Sequence, residues 1–335
     1  MNFSIRFCFL YILYAIIRLS YALNTDKTPV KISGSFSAGK VASAVSLGAL
    51  GLIGKVVYDG PKFTDAVSLK GKNVVITGGN TGLGKETAKK LASLGADTTI
   101  LCKSLSRGNT AVDEIVKVSG NSNVRCLSMD LASLESVEKC SLLLQKQLDK
   151  IDILVNNAGV MAIPTRELTS DGFEKHLGIN HIGHFALTAL NWNLLKKAKA
   201  SRVINVASTA HMLGHLNFND LMLEKDYQPW PAYGNSKLAN ILFTKELAKR
   251  FPSSGVLPLV CHPGVCRTEL GRYLFDPNDI PPALAPVLGV IGTIVGAPAI
   301  YLTKSSEQGA QTQIFLSASS KLSQADAGEV LNFPY

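Results

Sequence analysis

Thr77-Gly78-Gly79-Asn80-Thr81-Gly82-Leu83-Gly84 follows the β-branched run Asn73–Thr77 and opens into a helix-forming segment, Leu83–Leu94. A strand that empties through such a turn into a helix leaves backbone N–H groups and the positive end of the helix above the strand, a setting suited to a phosphate. Glycine is needed where the backbone turns sharply and must approach a ligand with no side chain in between. Two standard phosphate spacings narrowly fail. Gly79, Gly84 and Lys85 satisfy G-x-x-x-x-G-K, but Glu86 stands where a P-loop needs Ser or Thr for Mg²⁺. The spacing G-x-G-x-x-G fails at Thr87, leaving Gly78, Gly82 and Gly84 as G-x-x-x-G-x-G. A glycine-rich turn also serves as a plain cap or tight loop, so the surrounding pattern must decide.

Outward from this turn the chain alternates short β-rich runs with longer helical ones. The predicted strands are Asn73–Thr77, Asp97–Cys102, Val124–Ser128, Ile151–Val155, Arg202–Val206, Val256–Cys261 and Glu329–Asn332. The predicted helices are Leu83–Leu94, Arg107–Val118, Leu134–Leu148, Asp171–Lys196, Ala232–Arg250 and Glu307–Leu316. That order predicts an α/β fold, a doubly wound parallel sheet of Rossmann type, in one domain over residues 70–335.

The 335 residues are 46% hydrophobic and 18% charged, which excludes a disordered or collagen-like chain. The net charge of +9 is concentrated in residues 1–72, where nine basic residues face three acids, so the body is nearly balanced and nucleic acid is not expected as a partner. Lys196, Lys197 and Lys199 read as solvated charge complementing a helix end. Cys8, Cys102, Cys126, Cys140, Cys261 and Cys266 lack Cys-x-x-Cys or zinc spacing and read as buried thiols, with Cys266 the candidate for an accessible one. His211 and His215 are four apart but lack the Glu of a metalloprotease motif, and no metal is expected.

The uncharged run Phe7–Ile17 lies between Arg6 and Arg18 and is followed by Ser20-Tyr21-Ala22, so residues 1–22 read as a signal peptide or short anchor. A span needs about 20 apolar residues, more than this run offers. Residues 23–69 read as a transit-like and linker segment containing a second short apolar stretch, Val41–Gly54. Entry into the secretory route follows, with endoplasmic reticulum or another endomembrane as destination, or a plastid through a bipartite leader.

Further motifs accompany the glycine turn: Asn156-Asn157-Ala158-Gly159 after the fourth strand, Ser208 at the end of the fifth, Tyr233-Gly234-Asn235-Ser236-Lys237, and Pro263-Gly264 with Thr268 after the sixth. Together, in this order, the residues from about Lys70 to Leu331 resemble the short-chain dehydrogenase/reductase superfamily. Within it, Gly79–Gly82, Asn156–Met161, Gly178–Phe185 and Ser236–Asn240 look most like retinol dehydrogenases. The resemblance implies a catalytic tetrad of Asn180, Ser208, Tyr233 and Lys237. Tyr233 would exchange the proton as hydride moves, Lys237 would touch the nicotinamide ribose, Ser208 would hold the substrate oxygen, and Asn180 would support a water relay. It implies cofactor contact by Gly78, Asn80, Thr81, Gly82, Leu83, Gly84, Lys103, Asp130, Leu131, Asn157, Ala158, Gly159, Tyr233, Lys237, Pro263, Gly264 and Thr268.

Chemistry supports the pair at the centre. Tyr233 and Lys237 are four apart, on one helix face. A phenol of pKa about 10 is a poor acid or base at neutral pH unless its anion is stabilised, which a neighbouring ammonium can do. Asn180, alone, would read as a polar helix residue, and His181 and His184 as groups packing or hydrogen-bonding near it.

Where an NAD site places an acid after the second strand, this chain has Cys102-Lys103-Ser104, and Lys103 with Arg107 suits a 2′-phosphate. The expected cofactor is NADP(H), with NAD as the alternative. The apolar segment around 265–304 is expected to be a substrate lid, and the substrate a lipophilic alcohol or carbonyl such as a retinal-like, sterol or fatty aldehyde or ketone. Membrane association is expected, and a homodimer is an open option. Two alternatives stand beside this reading. One is a non-catalytic NADP(H)-sensing subunit of an organelle membrane complex; the other is a protochlorophyllide-type pigment reductase.

Overall fold

The computed structural model describes residues 62–266, 270 and 303–331. The leader, Cys8, most of the 23–69 segment, Thr268, Asn332 and the interior of the expected lid lie outside the described residues. Seven parallel strands form one sheet: β1 (Asn73–Thr77), β2 (Asp97–Cys102), β3 (Val124–Ser128), β4 (Ile153–Asn156), β5 (Ser201–Val206), β6 (Val256–Cys261) and β7 (Val330–Leu331). Their spatial order is β3-β2-β1-β4-β5-β6-β7. The chain therefore winds one way from β1 and then crosses back to lay β4 on the other side of it, the doubly wound topology expected from the alternation.

Both faces of the sheet are covered, and the residues of β1 show how. Val74 and Ile76 point into one core with Leu91, Ile100, Ile115, Leu259 and Ile314. Val75 points into the other with Leu101, Val137, Leu144, Leu154, Leu187 and Leu195. The period of two along the strand thus feeds two separate layers. Helices α1 (Gly82–Ser93), α2 (Leu105–Ser119) and, near the end of the chain, Ser306–Ala318 supply the first core. Helices α3 (Leu134–Gln147), α4 (Gly183–Leu190) and α5 (Trp192–Lys197) supply the second.

Helix ends are set by local chemistry. Ser104 caps α2 by accepting from the Arg107 N–H, so this helix begins before the predicted Arg107, and Gly120 ends it in the left-handed region at φ +67°. Helix α6 (Pro229–Arg250) starts three residues ahead of the predicted Ala232 because Pro229 sits at its first position. The last helix, α7 (Ser306–Ala318), opens on a capping box between Ser305 and Gln308.

One predicted helix is broken. The segment expected as continuous over Asp171–Lys196 instead contains a single turn, Lys175–Leu177, a π-helical turn, Gly178–Ile182, then α4 and α5. Close packing imposes the break. A Cβ on Gly178 would lie 2.4 Å from Thr169 Cγ2, and one on Gly183 would lie 2.8 Å from the Leu131 carbonyl oxygen. The wide turn fits those contacts and places Asn180 inward, fully buried.

Among the described residues no helix is long and apolar enough to cross a membrane. At the two ends of the expected lid, the Lys304 N–H donates to the Val265 carbonyl at 2.8 Å, and Cys266 and Lys304 form a parallel bridge, so the ends are tied beside β6.

Candidate active site

The loops leaving β1, β4, β5 and β6 gather at the carboxyl edge of the sheet, where strand order reverses between β1 and β4. Doubly wound sheets open a crevice at such a point. The glycine turn forms one wall. Gly78 and Gly82 have φ of +64° and +54°, and a Cβ on Gly84 would lie 2.4 Å from the Gly78 oxygen and 2.5 Å from Asn157 Nδ2. Thr81 caps α1 without a side-chain hydrogen bond, and no acid stands in the first helical turn. The cradle and the uncompensated positive helix end fit a pyrophosphate. Lys85, the lysine of the failed P-loop pattern, is paired with Glu114 at 2.7 Å.

Thr77, at the end of β1, joins this wall to the next. Its buried hydroxyl accepts from the N–H groups of Asn157 and Ala158, both at 2.9 Å, and lies 2.8 Å from His184 Nε2. His184 Nδ1 lies 3.0 Å from the Asn180 carbonyl oxygen, an obligate acceptor, so the imidazole carries its proton on Nδ1 and takes the Thr77 hydroxyl proton on Nε2. Burial pushes its pKa down to about 3. Asn157 also donates from Nδ2 to the Thr77 carbonyl at 2.8 Å and accepts from Gln313 Nε2 at 3.2 Å. Asn156 turns away, donating to Thr188 and Asn205 under the sheet edge.

The buried face of α6 is polar, with Tyr233, Asn235, Ser236, Lys237, Asn240 and Thr244 all covered. Tyr233 and Lys237 are each 3% exposed. Lys237 Nζ sits 5.7 Å from the centroid of the Tyr233 ring and donates to the Val206 carbonyl at 2.9 Å. Ser208 does not end β5 but caps a short 3-10 turn, Thr209–Leu213, and its hydroxyl is near enough to that of Tyr233 to favour the phenolate. The four-residue spacing predicts that Lys237 makes this phenol more acidic. Instead burial pushes Tyr233 up to about 12, against the lowering influence of Ser208, and pushes Lys237 down to about 8. Desolvation is the largest influence on both because both groups are enclosed.

Asn180 lies beside them as a fixed strut. Its Oδ1 accepts from Val160 N–H at 2.8 Å, and its Nδ2 donates to the Val160 carbonyl and to Ser236 Oγ, both at 2.9 Å. Its own carbonyl receives Asn240 Nδ2 at 3.1 Å as well as His184. The expected water relay thus meets a carbonyl already held by two side chains. A Cβ on Gly159 would lie 3.1 Å from Asn180 Oδ1 and 3.6 Å from Lys237 Nζ, so the β4 loop is pressed against the pair.

Lys103 and Asp130, expected at different parts of a dinucleotide, meet each other at 2.8 Å. Burial alone would raise the Asp130 carboxyl, but hydrogen bonds from Lys103 and the Ala132 N–H hold it below the usual range. Leu131 packs under Gly183 of α4. Pro263 and Gly264 follow β6, and the Cys266 thiol points back at the Pro263 carbonyl, 3.4 Å away. Burial pushes that thiol up to about 12, which removes it as a reactive thiolate. His211 Nδ1 donates to the Ser208 carbonyl at 2.6 Å. Among the described residues no group of three or more His, Cys, Asp or Glu is arranged to hold a metal.

Sequence reasoning passed over Thr77 and Ser236 and gave His176 no role. One signal was available. His176, Asn180, His184 and Thr188 recur every four residues in a mostly apolar stretch, and all four are at most 1% exposed. A buried polar stripe of that kind requires partners.

Comparison with known proteins adds a second line of observation. A family model described as short chain dehydrogenase matches residues 72–279. Retinol dehydrogenase 12 of Homo sapiens is 48% identical over 207 residues, covering 62% of this chain and 65% of that protein. Retinol dehydrogenase 11 of Mus musculus is 47% identical over 210 residues, 63% of this chain and 66% of that protein. The chain thus spans just under two thirds of the length of these relatives. Retinol dehydrogenase 13 of Homo sapiens is 40% identical over 261 residues, 76% of this chain and 74% of that protein. Among solved structures, an uncharacterised protein from Mycobacterium paratuberculosis superposes with a TM-score of 0.60 at 32% identity, covering 79% of this chain and 83% of its own.

Proposed function

The chain belongs to the short chain dehydrogenase family, and from that premise we propose that it is an NADP(H)-dependent oxidoreductase interconverting a lipophilic alcohol and its carbonyl. The observation that carries this reading is the convergence of Tyr233, Lys237 and Ser208 beside the glycine cradle. The dinucleotide, when bound, supplies or accepts the hydride. Gly78 to Gly84 would hold its pyrophosphate, Asn157 to Gly159, Asp130 and Leu131 the adenosine and ribose side, Lys103 the 2′-phosphate, and Pro263, Gly264 and Thr268 the nicotinamide end.

The chain's own groups handle the proton. Ser208 holds the substrate oxygen next to the Tyr233 hydroxyl. A phenol pushed up to about 12 is protonated at neutral pH, which suits donation to a carbonyl oxygen and hence reduction. Lys237, pushed down only to about 8, still carries its charge near neutrality and stabilises the phenolate left behind. Asn180 positions the β4 loop and α6 relative to each other. The lipophilic substrate class rests on the retinol dehydrogenase relatives and the apolar 265–304 segment. Membrane association and endomembrane residence rest on the Phe7–Ile17 run, and these relatives lend no support to the plastid alternative.

The test is Tyr233→Phe, assayed by NADPH oxidation with retinal as the probe carbonyl. Turnover should fall at least 100-fold while NADPH still binds. Retained turnover removes Tyr233 from the chemistry, and a chain that binds NADPH but reduces no lipophilic carbonyl favours the sensing alternative.

A further inference from the structure

A second buried polar cluster lies behind Tyr233 and takes no part in the chemistry above. Glu174 is 1% exposed, yet its carboxylate is fully used. Oε1 accepts from the His176 N–H at 2.9 Å and from His176 Nδ1 at 2.8 Å, and Oε2 accepts from the Leu177 N–H at 2.8 Å. His176, fully buried, accepts the Ile163 N–H on Nε2 at 3.2 Å. On the other side of that residue, the Tyr227 hydroxyl donates to the Ile163 carbonyl at 2.7 Å. The backbone of Ile163 is therefore gripped at both polar atoms by two side chains whose rings stack on each other, centroids 6.4 Å apart at 20°.

What is gripped explains the grip. Ala162, the residue before, has φ +52°, a left-handed conformation that a non-glycine residue holds only when its surroundings dictate it. The strained turn lies between Val160, tied to Asn180, and the His176 ring, which meets the Tyr233 ring edge-on at 6.1 Å. The same cluster reaches the loop that leads into α6. The Glu174 N–H points at Met222 Sδ, 3.4 Å away, Arg166 Nε donates to the Met222 carbonyl at 3.0 Å, and Leu223 next to it also has a left-handed φ of +51°. Two loops flanking Tyr233 thus meet at Glu174 and His176, one through the His176 ring and the other through the Glu174 backbone N–H.

We infer that Glu174, His176 and Tyr227 form a brace of positioning residues that holds the strained Ala162–Ile163 turn against Tyr233 and so fixes the wall facing the substrate. None of them touches reacting atoms. The inference rests on the dehydrogenase reading for its kinetic consequence but not for the brace itself. With the brace cut, the Ala162 turn relaxes toward negative φ, the wall shifts, and a bound carbonyl meets Tyr233 in a poorer geometry. Small misplacements of this kind are costly to turnover. The dinucleotide cradle is built from other residues and is unaffected.

The experiment uses the full chain, NADPH titration and NADPH oxidation with retinal. Tyr227→Phe, which removes one oxygen, is expected to lower kcat about 3- to 10-fold, and His176→Phe at least 30-fold, each with the Kd for NADPH within about twofold of the parent. Adding Ala162→Gly, which makes the positive φ inexpensive, should restore kcat of His176→Phe at least threefold. A kcat within twofold of the parent in Tyr227→Phe overturns the brace, as does a loss that appears wholly in the Kd for NADPH, or no response of His176→Phe to Ala162→Gly. If His176→Phe does not fold, Tyr227→Phe decides alone. If the parent reduces no carbonyl, the functional reading fails by itself. The brace is then judged by hydrogen exchange at the Ile163 amide, expected at least tenfold faster in His176→Phe, which removes the acceptor of that N–H, and overturned by equal rates.

Discussion

Thr77→Val keeps the shape of a fully buried side chain and deletes one hydroxyl, and the structure states what that hydroxyl does. It receives two backbone N–H groups, from Asn157 and Ala158, and lies within hydrogen-bond distance of the Nε2 of His184. After the substitution the Asn157 N–H keeps the Val155 carbonyl, 3.0 Å away, while the Ala158 N–H and His184 Nε2 are left unpaired. Leaving a buried donor or acceptor unsatisfied costs ~1–3 kcal/mol. Allowing the β4 loop to relax, we take the low end for each of these two and expect a loss of about 2 kcal/mol. For a domain of this size ~2–4 °C accompany each kcal/mol, so Tm should drop by about 4–8 °C. The same relaxation displaces Ala158 and Gly159, and NADPH affinity should weaken with it. Urea unfolding followed by NADPH titration measures both, and Thr77→Ser, which keeps the oxygen, should stay within about 1 kcal/mol of the parent. A Thr77→Val protein within about 0.5 kcal/mol of the parent would refute the hub assigned to this hydroxyl.

Three more expectations follow from particular contacts. His184 is held neutral with its pKa pushed down to about 3, whereas the unfolded chain protonates near 6.5. Its contribution is therefore complete above about pH 6.5 and is lost as pH falls toward 3, at ~1.4 kcal/mol per pH unit, and urea unfolding of His184→Gln between pH 6 and 4 should show that much shallower a slope. Gly84→Ala drives a Cβ to 2.4 Å from the Gly78 oxygen, and should cost ~1–3 kcal/mol in thermal unfolding and abolish measurable NADPH binding, with unimpaired binding counting against the cradle. Lys103→Ser should reduce the ratio of kcat/KM for NADPH over NADH by about tenfold, the low end for a charge-assisted contact from a side chain this exposed, and an unchanged ratio would free Lys103 from 2′-phosphate recognition.

The strands were the most legible part of the chain. β1, β2, β3 and β6 begin and end where predicted; in β1, β2 and β6 burial on both faces leaves little room for polar residues, while β3, at the sheet edge, keeps Arg125 and Ser128 exposed. Helix starts were less legible where a cap lies upstream of the apolar pattern, as at Ser104 and Pro229. The interrupted segment before α4 was hidden, since its wide turn answers to Thr169 and Leu131, neighbours that only the folded chain brings near. The site divides the same way. Tyr233, Lys237, Ser208 and the glycine turn announce themselves by spacing. The partnerships of Thr77 with His184 and of His176 with Ile163 do not, because each joins segments whose proximity is a product of the strand order. The effect of burial on Tyr233 was also out of reach, since a four-residue spacing tells of nearness to Lys237 and nothing of how completely water is excluded.

The wide turn at Gly178–Ile182 carries a consequence for anyone altering this region. It holds one residue more than a regular helical turn would, so removing a single residue could restore an ordinary ladder of backbone bonds at little local cost. Everything downstream would then rotate by about 100° around the helix axis. His184 would leave Thr77 and Leu187 would leave the second core, although no side chain had been exchanged. The length of this stretch is thus as binding a specification as its composition, and a loop graft or chimera that matches residue types but miscounts by one should fold with its crevice unmade.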